Sequence, residues 1–209
     1  MLFVLLLCVL AGAGSGLSSD EAAPSRPSYP VAVKIRSPKY EYKVLVHSVK
    51  DIDFKNLQYH LFGQWVRLRS GSMKGTEPLL KGEELPIHIE VSLRHVRYFD
   101  FQEGEPRHAL ISLDFFSVGA SSSDQGFILL FELINGHPVV RQQFEYDRQA
   151  PEAEDTFDAK LGLLTIKARA QDASPHCCPE NLETDEFAWQ GQEFRLRNRK
   201  IQKLPPSNN

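Results

Sequence analysis

The sequence predicts a mainly β protein, with antiparallel strands in a sandwich, a curled sheet or a partly open barrel, and with little helix. Many short runs alternate apolar and polar residues, which is the pattern of half-buried strands. Turn signals such as Asn135-Gly136 and Gln190-Gly191 separate these runs. A long apolar stripe of period 3.6 with helix caps is missing from the sequence, so we expect few helices.

The N-terminal residues differ in kind from the rest of the chain. Residues 2–11 are nearly all apolar and the small residues 12–16 follow, as in an export signal and its cleavage zone. This run is shorter than the about 20 residues of a membrane-spanning helix, so we expect no transmembrane helix in the mature chain. We expect an extracytoplasmic protein, periplasmic or secreted. The predicted organisation is a signal peptide over 1–16, a flexible Ser-, Ala- and Pro-rich linker over 17–30, a single β-rich domain over 31–204 and a disordered tail over 205–209.

Alternation places the strands along this domain. Residues 87–93 alternate most clearly, with Ile, Val and Leu side chains on one face. The apolar spacing slips by one residue before Val96 and Tyr98, which predicts a β-bulge near His95. Residues 51–62 fit a helical stripe and a pair of short strands equally well. The other predicted strands are 31–35, 40–46, 64–69, 109–118, 127–134, one that begins near Val139, 161–170 and a closing hairpin over 187–196.

Composition narrows the classes of function. Hydrophobic residues make up 42% and charged residues 24% of the chain, which is typical of a globular protein. The chain has 24 Lys and Arg against 27 Asp and Glu, a net charge of −3, so no global field attracts nucleic acid or an anionic membrane. The common phosphate-, dinucleotide-, zinc-protease and serine-hydrolase motifs are missing from the sequence. We therefore expect no nucleic-acid partner, no cofactor and no catalytic site.

Two adjacent cysteines, Cys177 and Cys178, are the most unusual chemical feature. Their Cα atoms lie about 3.8 Å apart across a trans peptide, below the usual disulfide range of about 4.4–6.8 Å, so a bond between them closes a strained ring. A vicinal disulfide that forms a rigid corner between Pro175 and Pro179 is the default pairing in an oxidising compartment. Two alternatives stay open: a metal or redox thiol site that includes His176, and an intermolecular disulfide or two idle thiols.

A second candidate site is the oxygen-rich turn over residues 100–105. Asp100, Gln102 and Glu105 could supply oxygen ligands to a calcium ion at alternate positions. The full calcium-loop pattern is missing, since Gly and Gln occupy positions where acidic ligands are usual. We therefore interpret this segment as a solvated turn between two strands, with calcium as the weaker alternative.

Two charged segments lie in the second half of the chain. The acidic residues between 152 and 158 are interpreted as a mobile, solvated loop. Arg195, Arg197 and Arg199 alternate, so we expect them on one strand face, where they could meet the acidic loop or an anionic partner. Because the net charge is small, we favour an internal or trivial role for this face.

Two segments resemble uncharacterised exported bacterial proteins. The residues His176-Cys177-Cys178-Pro179, followed by Phe187–Phe194 in the order W-x-G-x-x-F, are similar to the mycobacterial LppP/LprE lipoproteins. Residues 96–113 resemble the turns of FG-GAP or VCBS-type repeats, although Gln102 and Gly104 replace acidic positions. The resemblance covers roughly the second half of the chain. It implies an extracytoplasmic compartment and a β fold, and it implies no enzymatic activity.

Together these patterns define an expected function. We expect an exported, non-catalytic β domain that serves as a binding or structural module of the cell envelope, with an envelope protein or a glycan as its partner. The alternative is a thiol-based redox or metal-handling protein that uses Cys177 and Cys178.

Overall fold

The computed structural model describes residues 32–38, 40–77, 87–100, 106–118, 123–150, 152–170 and 180–205. In this part of the chain it has thirteen strands, one 3-10 turn and no α-helix, which confirms the predicted mainly β class. The turn is Val49–Asp51. The strands are β1 Val33–Arg36, β2 Tyr40–Glu41, β3 Gln58–Leu61, β4 Gln64–Arg67, β5 Ser72–Glu77, β6 Ile87–Phe99, β7 His108–Val118, β8 Ser123–Ile134, β9 His137–Asp147, β10 Glu154–Asp158, β11 Leu163–Arg169, β12 Asn181–Trp189 and β13 Phe194–Lys203.

All strand pairs are antiparallel, and the sheets do not close into a barrel. The large sheet has seven strands in the order β1-β9-β8-β7-β6-β5, with β2 also paired to β9. The small sheet has the order β10-β11-β12-β13, and β3 and β4 form a separate hairpin. Between β8 and β9 the chain turns at Asn135 and Gly136, with φ of 52° and 80°, which confirms the predicted hairpin.

The large sheet is covered on both faces. In β8, Phe127, Leu129 and Phe131 pack against the β3–β4 hairpin and the 3-10 turn. The intervening residues Ile128 and Leu130 pack against the small sheet. A strand that is buried on both sides needs apolar residues at every position, which explains why 127–131 is an uninterrupted apolar run.

Two β-bulges redirect side chains in the large sheet. The register of β6 shifts between Leu93 and His95, which confirms the bulge predicted near His95. The register of β8 and β9 shifts at Arg141. Residues two apart normally share one face of a strand, but the bulge separates Val140 and Gln142. Val140 packs on the hairpin side, and Gln142 faces the small sheet. The amide of Gln142 then binds both backbone groups of Phe194, at 2.8 and 2.9 Å.

A glycine in β8 allows another contact between the sheets. Gly126 lies opposite Tyr146 in the β8–β9 ladder, and a Cβ at this glycine would come within 2.2 Å of the tyrosine ring. The Tyr146 ring therefore passes over β8 at Gly126, the position that has no side chain. Its hydroxyl donates to Asp155 Oδ1 of the small sheet at 2.8 Å.

Three parts of the fold differ from expectation. Residues 51–62 form neither a helix nor two strands: a 3-10 turn capped by Ser48 leads into β3. Of residues 40–46, only β2 joins a ladder, and Tyr42 and Val46 then donate singly to carbonyls of the β8–β9 hairpin. Strands β5 and β10 were not predicted, because their sequences carry little apolar alternation.

Several expectations lie outside the described residues. These are the signal peptide over 1–16, the linker over 17–30 and most of the tail over 205–209. Among the described residues, no helix is long and apolar enough to cross a membrane.

We predict that Gly126→Ala destabilises the protein by roughly 1–3 kcal/mol, because the new methyl group must displace the Tyr146 ring. The free energy of unfolding in urea measures this effect. Gly75→Ala in β5 is the matched control, since its Cβ would make an ordinary 3.5 Å contact with Met73 Sδ. Equal stability of the two variants would contradict the role assigned to Gly126.

Candidate functional site

A partly exposed aromatic cluster lies where β2 meets the β3–β4 hairpin. It consists of Tyr40, Tyr42, His60 and Trp65, and we call it the Trp65 surface. In the hairpin, Tyr59, Leu61, Val66 and Leu68 point into the core. Alternation therefore sends the cross-strand partners His60 and Trp65 to the outer face. A tight turn at Phe62 and Gly63, with φ of 50° and 82°, sets this register.

The orientation of the Trp65 ring is fixed by three aromatic neighbours. Its centroid lies 5.1 Å from that of His60, 5.5 Å from Tyr40 and 6.4 Å from Tyr42, all in edge-to-face geometry. Even so, Trp65 is 54% exposed. A large ring that is held rigidly and yet faces solvent is a feature of binding surfaces rather than of a protein core.

Hydrogen bonds order the polar atoms around this ring. The hydroxyl of Tyr40 and Nδ1 of His60 are 2.6 Å apart, which leaves Nε2 of the imidazole for another partner. The hydroxyl of Tyr42 donates to the carbonyl oxygen of Gln58 at 2.6 Å. Burial, and then the neighbouring Tyr40, raise the pKa of Tyr42, so this hydroxyl stays a donor. The surface thus combines an apolar face with two tyrosine hydroxyls and an imidazole.

A buried ionic cluster joins the two sheets around Asp155. The side chain of Asp155 is fully buried. Oδ2 accepts from Arg97 at 2.8 Å and from Ser112 at 2.9 Å. Oδ1 accepts from Tyr146 at 2.8 Å and is paired with Arg94. Burial is the main cause that raises the pKa of Tyr146 to about 12, which keeps its hydroxyl protonated. Because both oxygens are occupied, this carboxylate holds the sheets together and has no lone pair left for a substrate.

A second buried cluster lies at the other side of the sandwich. Asp185 and Glu183 project inward from β12, and both are almost fully buried. Arg199 binds Asp185 through two nitrogens at 2.7 Å and lies 3.2 Å from Glu183. Oε1 of Glu183 also accepts from the backbone N–H of Ala32 at 3.1 Å. Burial, and then the charge of Asp185, raise the pKa of Glu183. One arginine therefore serves two carboxyl groups.

A groove of about 290 Å³ opens on the opposite face of β2 from Tyr40. His137 lies in it with Nδ1 3.1 Å from the carbonyl oxygen of Val44, so this nitrogen carries a hydrogen and donates to that oxygen. Arg141 donates to Glu132 at 2.5 Å. The lining residues are Glu41, Ile134, Asn135, His137, Val139 and Arg141. This groove is separate from the Trp65 surface.

Most of the site residues predicted from sequence lie outside the described residues. This holds for His176, Cys177 and Cys178 and for Gln102 and Glu105. The predicted disulfide and the thiol and calcium alternatives therefore stay predictions. Within the described ranges, no group of three or more His, Cys, Asp and Glu side chains could hold a metal ion.

Asp100, the remaining calcium candidate, follows β6 and is half-buried. It lies near His108, which stacks on Phe99 and contacts Trp189. Burial lowers the pKa of His108, and the charges of Glu132 and Asp100 oppose this effect.

The two charged segments differ from expectation. Residues 154–158 form strand β10 rather than a mobile loop, and Asp155 is buried because arginines of β6 neutralise it. The arginines of β13 do not share one face, because the register of β12 and β13 shifts at Arg197. Arg195 pairs with Glu193, whereas Arg199 points inward to Asp185.

The Trp65 surface was missed from sequence, although a signal was present. Alternation places Val66 and Leu68 on one face of β4 and Trp65 on the polar face. A tryptophan on the polar face of a strand is unusual enough to mark a binding candidate.

Comparison of the chain with protein-family models, curated proteins and solved structures found no match.

We predict that Asp155→Asn lowers the free energy of unfolding by about 3–5 kcal/mol, because Arg94 and Arg97 lose their buried counter-charge. Chemical denaturation measures the change. The control is Glu154→Gln on the same strand, whose carboxylate makes an exposed pair with Lys167 and should matter by less than about 1 kcal/mol. A loss for Asp155→Asn as small as that of the control would refute the structural role of this cluster.

We predict that Glu183→Gln is more stable than the wild type at pH 7. The folded protein holds the Glu183 proton more tightly than the unfolded chain, so the contribution of this group to stability is complete below the unfolded pKa and is lost as the pH rises through the folded pKa. Glutamine keeps an acceptor for Ala32 and removes the charge. The stability difference should shrink as the pH falls toward 4.5, the ordinary pKa of the group. Urea unfolding at several pH values measures it, with Glu186→Gln, on the opposite face of β12, as control; a pH-independent difference argues against this assignment.

Proposed function

We propose that the protein is an exported, non-catalytic binding module of the cell envelope and that the Trp65 surface binds a glycan. One observation carries this proposal: the ring of Trp65 contacts three aromatic neighbours and is still half exposed. An exposed apolar patch rimmed by polar groups is typical of an interaction site.

The chemistry around Trp65 favours a glycan. A sugar ring has an apolar C–H face that can stack on an indole, and hydroxyl groups at its edge that need hydrogen-bond donors and acceptors. The rings of Tyr40 and His60, which carry a hydroxyl group and imidazole nitrogens, both contact the Trp65 ring. Few polar groups around an apolar platform are typical of sites that orient a small ligand.

The rigidity of the surface also supports binding. Ligand binding is weakened when side chains must be ordered at the moment of association, at roughly 0.5–1.5 kcal/mol for each flexible side chain. Here Tyr40 and Tyr42 are already held by hydrogen bonds at 2.6 Å in the free protein, so ordering of these two side chains does not weaken ligand binding.

A non-catalytic role is supported by the buried carboxyl groups. Asp155, Glu183 and Asp185 are all engaged by arginine and lie between the two sheets, where a polymeric substrate has no access. The export signal pattern of residues 1–16 and the resemblance of residues 176–194 to exported proteins support a location outside the cytoplasm.

We expect Trp65→Ala to weaken glycan binding at least about tenfold, which corresponds to about 1.4 kcal/mol. Affinity electrophoresis and calorimetry with soluble neutral polysaccharides, chitin oligosaccharides and peptidoglycan fragments measure the effect. The control is Leu161→Ala, which removes an exposed apolar side chain from the β10–β11 turn and should leave binding unchanged. Binding that survives in Trp65→Ala, or failure of the wild type to bind any of these glycans, would reject the proposal.

A further inference from the structure

The edges of the two sheets lie together along one side of the sandwich. The backbone N–H of Ala32, which precedes β1, donates to Glu183 of β12. Gln142 of β9 binds the backbone of Phe194 at the start of β13. Strands β1 and β9 of the large sheet therefore lie over β12 and β13 of the small sheet. We call this side, lined by Ile35, Leu196 and Ile201, the open side.

Apolar side chains on the open side point inward but are not covered. The cross-strand partners of Ile35 and Leu196 are Phe144 and Phe187, which are buried between the sheets. Ile201 pairs with the buried Glu183. Nevertheless, Ile35, Leu196 and Ile201 are 43%, 45% and 46% exposed. In the part of the chain that the structure describes, the sandwich is thus unfilled beside β13.

The outer edge of β13 is also unpaired in the described part of the chain. β13 is ten residues long, ends the small sheet and pairs only with β12. Such an edge presents backbone N–H and C=O groups that can accept another strand. Because of the bulge at Arg197, the regular stretch available for pairing is residues 198–203.

The charge of this edge selects the kind of strand that fits. Arg195 and Arg199 have acidic partners within the chain. In the contacts of the described residues, Arg197, Lys200 and Lys203 have no such partner. The edge is therefore cationic, and an incoming strand with acidic residues would be attracted to it.

From these observations we propose that β13 accepts an extended acidic segment of another protein as a fifth strand of the small sheet. Its apolar residues pack on Ile201 and beneath Ile35, while its carboxylates, on the opposite face, meet Lys200. Lys203 lies on the Ile201 face and adds positive charge near the end of the strand. This surface is distinct from the Trp65 surface, which lies on the β3–β4 hairpin side of the large sheet.

Two other occupants fit less well. Pairing of β13 with a second copy would bring the same basic side chains together, which is unfavourable. The linker over residues 17–30 contains Pro24, Pro27 and Pro30, which cannot donate ladder hydrogen bonds. An acidic strand from a partner protein meets neither obstacle.

Fluorescence anisotropy and hydrogen exchange on the folded protein test the proposal. The probe is a labelled peptide of about ten residues, as long as β13, in which Glu alternates with Val. We expect binding of this peptide and slower amide exchange across residues 198–203. A peptide with Lys in place of Glu should not bind. Equal binding of both peptides, no binding of either, or protection confined to other strands would overturn the proposal.

Charge reversal provides the matched variants. Lys200→Glu with Lys203→Glu should weaken binding of the acidic peptide at least about tenfold. Lys50→Glu with Lys160→Glu makes the same change in net charge at exposed positions away from β13 and should leave binding nearly unchanged. Equal losses of affinity for the acidic peptide in the two double variants would show that binding depends only on net charge, and would overturn the proposal. Light scattering completes the test, since dimers that protect β13 without peptide would identify a second copy as the occupant.

Discussion

The buried carboxylate of Asp155 is the constraint on which the sandwich depends. A charge without water costs several kcal/mol unless donors surround it, and here the donors come from three strands of the large sheet. Arg94 reaches it from a bulge, and Tyr146 reaches it across Gly126. The relative position of the two sheets is therefore set by polar geometry as well as by apolar burial, because a shifted packing would leave the buried carboxylate without its arginines.

The buried charges of the sandwich are separate from the outer surfaces that suit ligands. Asp155, Glu183 and Asp185 are engaged by arginine between the sheets, whereas the Trp65 surface faces outward. The Trp65 surface and the open side beside β13 are formed by different layers, so occupation of one does not block the other. A module with a glycan surface and a separate strand-accepting edge would connect an envelope polymer with a protein.

Some elements of the fold were predicted correctly from the sequence and others were not, for physical reasons. The strand over 87–93, the bulge near His95 and the Asn135-Gly136 turn were correct, because each depends on a local pattern of alternation or positive φ. The acidic segment 152–158 was interpreted wrongly, because Arg97, one of the two arginines that bind Asp155, is 58 residues away in the chain. In the site, alternation placed Trp65 on the polar face, but its aromatic neighbours could not be foreseen.

The sequence by itself determined the mainly β class and most strands, since period-two alternation and turn residues act over a few positions. Only the tertiary structure decided which charges are buried, which rings surround Trp65 and where the sandwich stays open. These properties depend on the order of strands in each sheet and on the packing of one sheet over the other. Tyr40 and Trp65, for example, are separated by 25 positions and meet only because β2 pairs with β9 beneath the β3–β4 hairpin.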